Sequence, residues 1–287
     1  MNRWLFFLYG VGSHLFFLAT YAYMAGFVGN FLVPKSIDST SADSTAEAVA
    51  INLLLLGLFA VQHSVMARPA FKKLWTRIVP PVIERSTYVL VSNLVTILLM
   101  WQWRGLDAVV WDVQQPGLRA LLWGLFALGW LLVPAVTFMI DHFDLFGLRQ
   151  VWLHLRRVEY RPLPFRVPLL YRRVRHPLYV GWTILFWATP TMTAGHLLFA
   201  AVLTGYMALA ALVEERDLIV HFGQRYEDYR RRVPMFVPRL TTANTRSDSP
   251  VLLATDSRPT VSPVNVPQVT GNLKSVVTLV ESEALDV

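Results

Sequence analysis

The sequence predicts an all-α integral membrane protein. The predicted architecture is a bundle of five to six transmembrane helices that ends in a helical hairpin, followed by a cytoplasmic amphipathic helix and a disordered tail. Of the 287 residues, 54% are hydrophobic and only 16% are charged, whereas a soluble domain has about 25% charged residues. Six apolar segments stand out against the length of about 20 residues that crosses a bilayer. Ten Trp, ten Tyr and 17 Phe residues are typical of membrane interfaces.

The apolar segments fill most of the first 213 residues, covering about residues 4–33, 48–67, 86–103, 120–140, 178–192 and 194–213. The first segment lacks a small-residue cleavage site and is expected to be a retained helix. Pro134 predicts a kink in the fourth segment. The fifth is short, and only "TPTMTAG" separates it from the sixth. These last two segments are therefore expected to form the tight hairpin.

The loops between the segments alternate in charge. Segment 68–85 carries five basic residues against Glu84 alone, and segment 141–177 carries eight arginines. The loops at 34–47 and 104–119 are not basic. Because positive charge marks the cytoplasmic side, both termini are predicted to be cytoplasmic. The net charge of +7 does not indicate a nucleic-acid partner, since the basic residues cluster beside membrane segments rather than along one face.

Three regions follow from this pattern: transmembrane helices over 1–140, a region with the hairpin and the polar motifs over 141–240, and a tail over 241–287. Within 214–238, apolar residues recur at helical spacing, which predicts the cytoplasmic amphipathic helix. The tail is rich in Ser, Thr, Pro and Val without a helical period, a composition that predicts disorder.

Several kinds of active site are excluded by what the sequence lacks. It has no cysteine, which excludes disulfides, thiolate metal sites and a cysteine nucleophile. It has no glycine-rich dinucleotide loop and no P-loop. It has no HExxH motif and no serine nucleophile elbow. Any chemistry must therefore come from polar groups at the cytoplasmic ends of the helices.

The stretch "RHPLYVG" at 175–181 supplies four of these groups, namely Arg175, His176, Pro177 and Tyr179. Pro177 suits the first turn of a helix, and a basic stop before a membrane segment explains the arginines. Neither explains His176 and Tyr179, which are three positions apart and share a helical face. The stretch is therefore predicted to be a binding rim as well as a helix start.

Two adjacent carboxylates, Glu214 and Glu215, follow the sixth segment. Adjacent helical residues point in different directions, so one is expected in solvent and the other toward the bundle. A carboxylate inside the bundle must be paired, either by Arg175 or by a ligand cation.

Three further residues are candidates for proton chemistry. His63, in "QHSVMARP", is either an interfacial histidine bonded to a neighbouring helix or a functional group within a membrane segment. Asp141 and His142 open "DHFDLFGLRQVW". With Asp144 they place at most two groups on one helical face, so no metal site is predicted. Solvation of a helix end and the rim of a bound cofactor both remain open for this stretch.

These motifs carry a resemblance. "RHPLYVG", "EERDL" at 214–218 and "FGQRYEDYRRRVP" at 222–234 resemble the C-terminal half of the isoprenylcysteine carboxyl methyltransferase-like membrane enzymes. The stretches at 62–90 and 141–152 are similar to the narrower NnrU-related branch, and within it to bacterial methanethiol S-methyltransferases. The likeness covers about residues 1–240.

The resemblance implies an S-adenosylmethionine-dependent enzyme of the bacterial inner membrane that converts methanethiol to dimethyl sulfide. His176, Tyr179 and one of the two glutamates would contact the methyl donor, with Arg175 and Pro177 on the same rim. In-line transfer to the thiol sulfur needs a base, for which His63, Asp141 and His142 are the candidates. Two alternatives stay open: methylation of a lipid-like or prenylated substrate, and a non-enzymatic membrane subunit linked to denitrification.

Overall fold

The computed structural model describes residues 2–239, and the predicted tail at 241–287 lies outside them. The described part contains ten α-helices: α1 (Arg3–Gly29), α2 (Thr45–Ala67), α3 (Pro69–Trp75), α4 (Glu84–Gln102), α5 (Pro116–Ile140), α6 (His142–Leu145), α7 (Leu148–Leu155), α8 (Pro177–Trp187), α9 (Ala194–Phe222) and α10 (Gln224–Arg232). Five of them, α1, α2, α4, α5 and α9, are long and apolar enough to cross a membrane. The prediction of an all-α membrane protein is confirmed.

Polar side chains fix where the long helices begin. The Ser44 hydroxyl accepts a hydrogen bond from the Glu47 backbone, and the Glu47 carboxylate accepts one from the Ser44 backbone, which forms a capping box at α2. Thr193 caps α9 by accepting a hydrogen bond from the His196 backbone at 3.1 Å. Gln115 caps α5, whose first residue is Pro116. Each cap satisfies backbone N–H groups that the helix leaves free.

The helices pack around an aromatic-rich core to which α1, α2, α4, α5, α8 and α9 all contribute. Its buried residues include Phe27, Leu56, Trp103, Phe126, Leu185 and Phe199. The Tyr21 hydroxyl donates to the Trp130 carbonyl at 2.7 Å and joins α1 to α5. Large apolar side chains such as Leu5 and Leu8 stay exposed on α1, as expected for helix faces that contact lipid.

The hairpin differs from its prediction in one arm. Helix α8 has 11 residues and is therefore about 16 Å long, short of the roughly 30 Å of hydrocarbon. It ends at Trp187, where the sequence predicted a helix up to residue 192. Pro190 explains the early end, because it disfavours the helical conformation of the residue before it.

A non-helical segment over 188–193 completes the arm. Within it, strand β2 (Thr191–Thr193) pairs antiparallel with strand β1 (Val109–Asp112), from the loop between α4 and α5. Five of the six residues of the segment are buried. The other arm, from Ala194 to Glu215, is helical throughout and about 33 Å long. The sequence analysis did not predict this strand pair.

The predicted amphipathic helix is divided in two. Helix α9 continues through Glu214 and Glu215 to Phe222, and a separate helix α10 follows. Gly223 separates them with a φ of 55°, in the left-handed region that glycine adopts without a steric penalty. As a result, the two glutamates lie within the last turns of a long helix rather than at the start of a surface helix.

The close contact between α5 and α8 gives a stability prediction. A Cβ atom at Gly129 of α5 would meet the Leu185 Cβ at 2.7 Å and the Leu185 backbone nitrogen at 2.9 Å. Gly129→Ala is therefore expected to lower the free energy of unfolding by about 1–3 kcal/mol through overpacking. Gly124→Ala, in the same helix with no neighbouring atom within 4 Å, is the control and is expected to be neutral or stabilising by up to about 1 kcal/mol.

Denaturation of both variants in detergent, followed by tryptophan fluorescence, measures the difference. Equal stability of Gly129→Ala and Gly124→Ala would contradict the close α5–α8 packing.

Candidate active site

A buried ion pair joins the start of α8 to the end of α9. Glu215 is 3% exposed. The Arg175 Nε donates to its Oε1 at 2.7 Å, and the Arg175 Nη2 donates to its Oε2 at 3.3 Å. Such two-pronged contacts are the strongest geometry for arginine and carboxylate. One glutamate therefore turns inward, and of the two partners that the sequence left open for it, Arg175 is the one in contact.

The same arginine also holds the chain after α10. Its Nη1 donates to the carbonyls of Arg230 and Val233, at 2.8 and 2.7 Å. Its backbone N–H donates to the Pro234 carbonyl at 2.9 Å. The guanidinium has five N–H groups. It donates two hydrogen bonds to the Glu215 carboxylate and two to the carbonyls of Arg230 and Val233. Arg175 thus has at most one donor left for a ligand.

His176, Tyr179 and Glu214 extend the cluster toward solvent. The His176 Nε2 lies 3.1 Å from the Glu215 Oε1. The His176 and Tyr179 rings stack, with centroids 5.3 Å apart and planes 7° apart. The Tyr179 hydroxyl donates to the Glu214 Oε2 at 3.0 Å. Phe236 lies against His176, with ring centroids 5.8 Å apart.

The two glutamates therefore have different environments. The Glu214 side chain is 46% exposed, whereas that of Glu215 is 5% exposed. Only Tyr179 hydrogen-bonds Glu214 among the described residues, so a carboxylate oxygen remains for a ligand cation or hydroxyl. Aromatic faces beside it favour a cation as well. Pro177 is buried at the first position of α8, where its missing N–H costs no helical hydrogen bond.

His63 belongs to a second cluster, formed by α2, α4 and α9. It lies on the stripe of α2 that holds the buried residues Leu56 and Met66. Its Nε2 is 3.0 Å from the Tyr88 hydroxyl of α4, and its ring stacks on Phe59 with centroids 5.2 Å apart. Its Nδ1 is buried and has no hydrogen-bond partner among the described residues. His63 is therefore bonded to a neighbouring helix and keeps one free ring nitrogen.

Two contacts fix the end of α2 against α9. The hydroxyls of Ser64 and Tyr206 are 3.0 Å apart. The Arg68 Nη1 lies 2.7 Å from the Asp217 Oδ2. They place the His63 cluster and the Glu214 cluster along the same helix, α9.

Asp141 and His142 form a third group, where α5 ends. His142 is 6% exposed, its Nδ1 is 2.8 Å from the Thr137 hydroxyl, and its ring stacks on Phe138 at 4.2 Å. Burial lowers the pKa of His142, although Asp141 opposes the shift, so this imidazole is neutral at pH 7. Asp141 caps α6 by accepting a hydrogen bond from the Asp144 backbone at 3.0 Å.

Asp141 also lines a cavity of about 480 Å³, together with aromatic side chains of α1, α6 and α7. The nearest histidine to His142 is His14 of α1, with ring centroids 5.1 Å apart. The three candidate bases thus fall into two groups: His63 with Tyr88, and Asp141 with His142. The structure does not bring all three into contact.

The sequence analysis missed Tyr88 and Phe236. The single local signal for Tyr88 is a tyrosine inside an apolar segment, whose hydroxyl needs a partner. That signal does not identify the partner, because Tyr88 reaches a residue 25 positions away in the chain.

Comparison with known proteins gives one family. A model of the family described as NnrU protein matches residues 52–244. Methanethiol S-methyltransferase of Mycobacterium tuberculosis is 55% identical over 238 residues, which cover 83% of this chain and 98% of that protein. Methanethiol S-methyltransferase 2 of Bradyrhizobium diazoefficiens is 52% identical and covers 91% of this chain and 97% of its own length. Nurim of Mus musculus is 33% identical, with 61% of this chain and 70% of nurim covered.

The match with the Bradyrhizobium protein covers 91% of this chain, which is more than residues 1–240 contain. Sequence similarity therefore extends past residue 240, beyond the range over which the sequence analysis found a resemblance. No solved structure is significantly similar to the chain.

Neutralising Glu215 is expected to lower the free energy of unfolding more than neutralising Glu214. Glu215→Gln leaves the buried Arg175 charge without its partner, and breaking a buried pair in this way costs about 3–5 kcal/mol. Glu214→Gln is the matched control, because its side chain is half exposed and its loss should cost no more than about 1 kcal/mol. Denaturation of the two variants in detergent measures the difference, and superimposable curves would show that the Arg175–Glu215 pair does not stabilise the bundle.

Proposed function

The chain belongs to the NnrU protein family, and on that premise we propose that it is a membrane methyltransferase that converts methanethiol to dimethyl sulfide with S-adenosylmethionine as donor. The observation that carries the proposal is the polar cluster of His176, Tyr179 and the two glutamates at the α8–α9 junction of an otherwise apolar bundle. It is supported by the near full-length similarity to proteins named methanethiol S-methyltransferase. In the proposed orientation the cluster opens to the cytoplasm, the source of the donor.

The residues of the cluster fit the charged end of the donor. Glu214 offers a half-exposed carboxylate for the ammonium group or for a ribose hydroxyl. The faces of Tyr179 and Phe236 suit a sulfonium. Arg175 has one donor left and contributes chiefly by holding Glu215 and the chain after α10 in place. When bound, S-adenosylmethionine supplies an electrophilic methyl group on sulfur.

The protein must also place the thiol and remove its proton. A cysteine thiol has a pKa of about 8.5, and a simple alkyl thiol is a weaker acid. We assign the role of proton acceptor to His63 because its cluster is fixed against α9, the helix that carries Glu214, through the Ser64–Tyr206 and Arg68–Asp217 contacts. Asp141 caps α6, and His142 lies beside it where α5 ends. Holding two reactants in a dry pocket supplies the rest of the rate enhancement.

Experiments distinguish two other functions from the proposed one. A lipid-like or prenylated acceptor would leave donor binding intact but give no volatile product. A non-enzymatic subunit would bind no donor.

Gas above cells that express the chain and receive methanethiol tests the proposal directly. Dimethyl sulfide is expected above the level of a vector control. In the purified protein, Glu214→Gln is expected to weaken S-adenosylmethionine binding about tenfold or more, as for the loss of one hydrogen bond to a charged group. Calorimetry measures the affinity, and an unchanged value would remove Glu214 from the donor site.

His63 is tested by its effect on turnover. His63→Gln is expected to lower kcat near neutral pH by about 10²–10⁴-fold, the usual contribution of a general base, with little change in donor affinity. The deficit should shrink as pH rises, because free thiolate accumulates. An unchanged kcat would exclude His63 as the base, and a deficit that is constant with pH would indicate a packing role.

A further inference from the structure

Tyr88 makes two contacts with the same histidine. Its hydroxyl oxygen lies 3.0 Å from the His63 Nε2 and 3.3 Å from the His63 carbonyl oxygen. The hydroxyl has one proton to donate, and it can also accept. The carbonyl oxygen only accepts, so in that contact Tyr88 must be the donor.

Only one tautomer of His63 allows both contacts to be full hydrogen bonds at the same time. If the His63 Nε2 carries the proton, it donates to the Tyr88 oxygen while the Tyr88 hydroxyl donates to the carbonyl. If Nδ1 carries the proton instead, Tyr88 must divide a single proton between two acceptors. The count of donors and acceptors therefore favours the Nε2–H imidazole.

The free nitrogen gives an independent argument for the same tautomer. The His63 Nδ1 is buried without a partner among the described residues. A buried N–H group without an acceptor is costly, and such groups are rarer in proteins than buried acceptors without a donor. When the proton is on Nε2, Nδ1 carries only a lone pair, and no buried donor is left without an acceptor. The lone pair can then accept a proton from a ligand.

We propose that Tyr88 is a positioning residue that fixes His63 as the Nε2–H tautomer, so that the Nδ1 lone pair accepts the proton of a small thiol. This inference rests on the proposed function and specifies which nitrogen acts and what orients it. The S–H bond breaks, its electron pair stays on the sulfur that takes the methyl group, and the proton moves to Nδ1. The proton then leaves to cytoplasmic water, which restores the neutral imidazole.

The surroundings suit a thiol. The Phe59 ring covers one face of His63, which keeps the site apolar. The Arg85 guanidinium carbon lies 5.8 Å from the Tyr88 ring centroid, so a cation lies beside this cluster. A cation near the sulfur stabilises thiolate.

Nitrogen NMR on the full-length protein in nanodiscs tests the tautomer without any turnover. With ¹⁵N-labelled histidine, the His63 signals are identified as those missing in His63→Gln, among seven histidines. The expected result is an unprotonated Nδ1 and a protonated Nε2 in the wild type, and a mixture of tautomers in Tyr88→Phe. A protonated Nδ1 in the wild type would overturn the proposal, whatever the variants do.

Kinetics test the consequence against a matched control. Tyr206→Phe removes a hydroxyl that bonds Ser64, the neighbour of His63 on α2, and is expected to leave kcat within about twofold, since it does not touch the imidazole. Tyr88→Phe is expected to lower kcat about tenfold near neutral pH, equivalent to a hydrogen bond of about 1–1.5 kcal/mol. KM for methanethiol and the affinity for the donor should change little, and the deficit should narrow as pH rises.

Equal kcat values in Tyr88→Phe and Tyr206→Phe would overturn the proposal. A deficit in Tyr88→Phe that is constant with pH would also overturn it, since that result indicates packing alone. Failure of the proposed function is distinguishable, because it would appear as absent dimethyl sulfide in the wild type while the tautomer result stands by itself.

Discussion

The candidate site depends on one buried ion pair. Removing Arg175 and Glu215 from water carries a large desolvation cost, which close geometry and further hydrogen bonds must offset. Both conditions are met here: the carboxylate receives two donors of one guanidinium, and two backbone carbonyls accept from the same group. The pair thereby joins α8, α9 and the chain after α10 at a single point. Glu214, one residue away on α9, is held at the edge of that junction, where a ligand can reach it.

The hairpin makes this pairing geometrically possible. A helix as short as α8 would leave its first residue far from the end of α9 if the connection were a tight turn. The non-helical segment that carries β2 lengthens the arm, and the Arg175–Glu215 contact shows that the two arm ends lie side by side. Non-helical backbone within a membrane protein is tolerated where the protein itself satisfies it. Here Val113 and Ala194 donate backbone hydrogen bonds to Pro190 and Ala108.

The sequence predicts the features that arise from local chemistry. Hydropathy located the five long helices, and the angle between adjacent helical residues separated the two glutamates into an exposed and a paired one. The strand pair was not predictable, because its partners are about 80 residues apart and the apolar run across 178–192 reads equally well as helix. The division at Gly223 was missed because an apolar helical period continues on both sides of it. Tyr88 was missed because only tertiary packing brings it to His63.

The brevity of α8 bears on how the protein enters its membrane. The eleven residues of α8 fall below the length that a segment needs for stable insertion by itself, about 17–20 residues. Helix α8 is therefore expected to be inserted together with α9, which is long and apolar enough to cross a membrane by itself. The arginine that precedes α8 meets its carboxylate only after α9 has emerged from the ribosome. Completion of the candidate site is thus coupled to the last step of biogenesis, and chains that stop short of α9 are expected to be left without a committed topology for this arm.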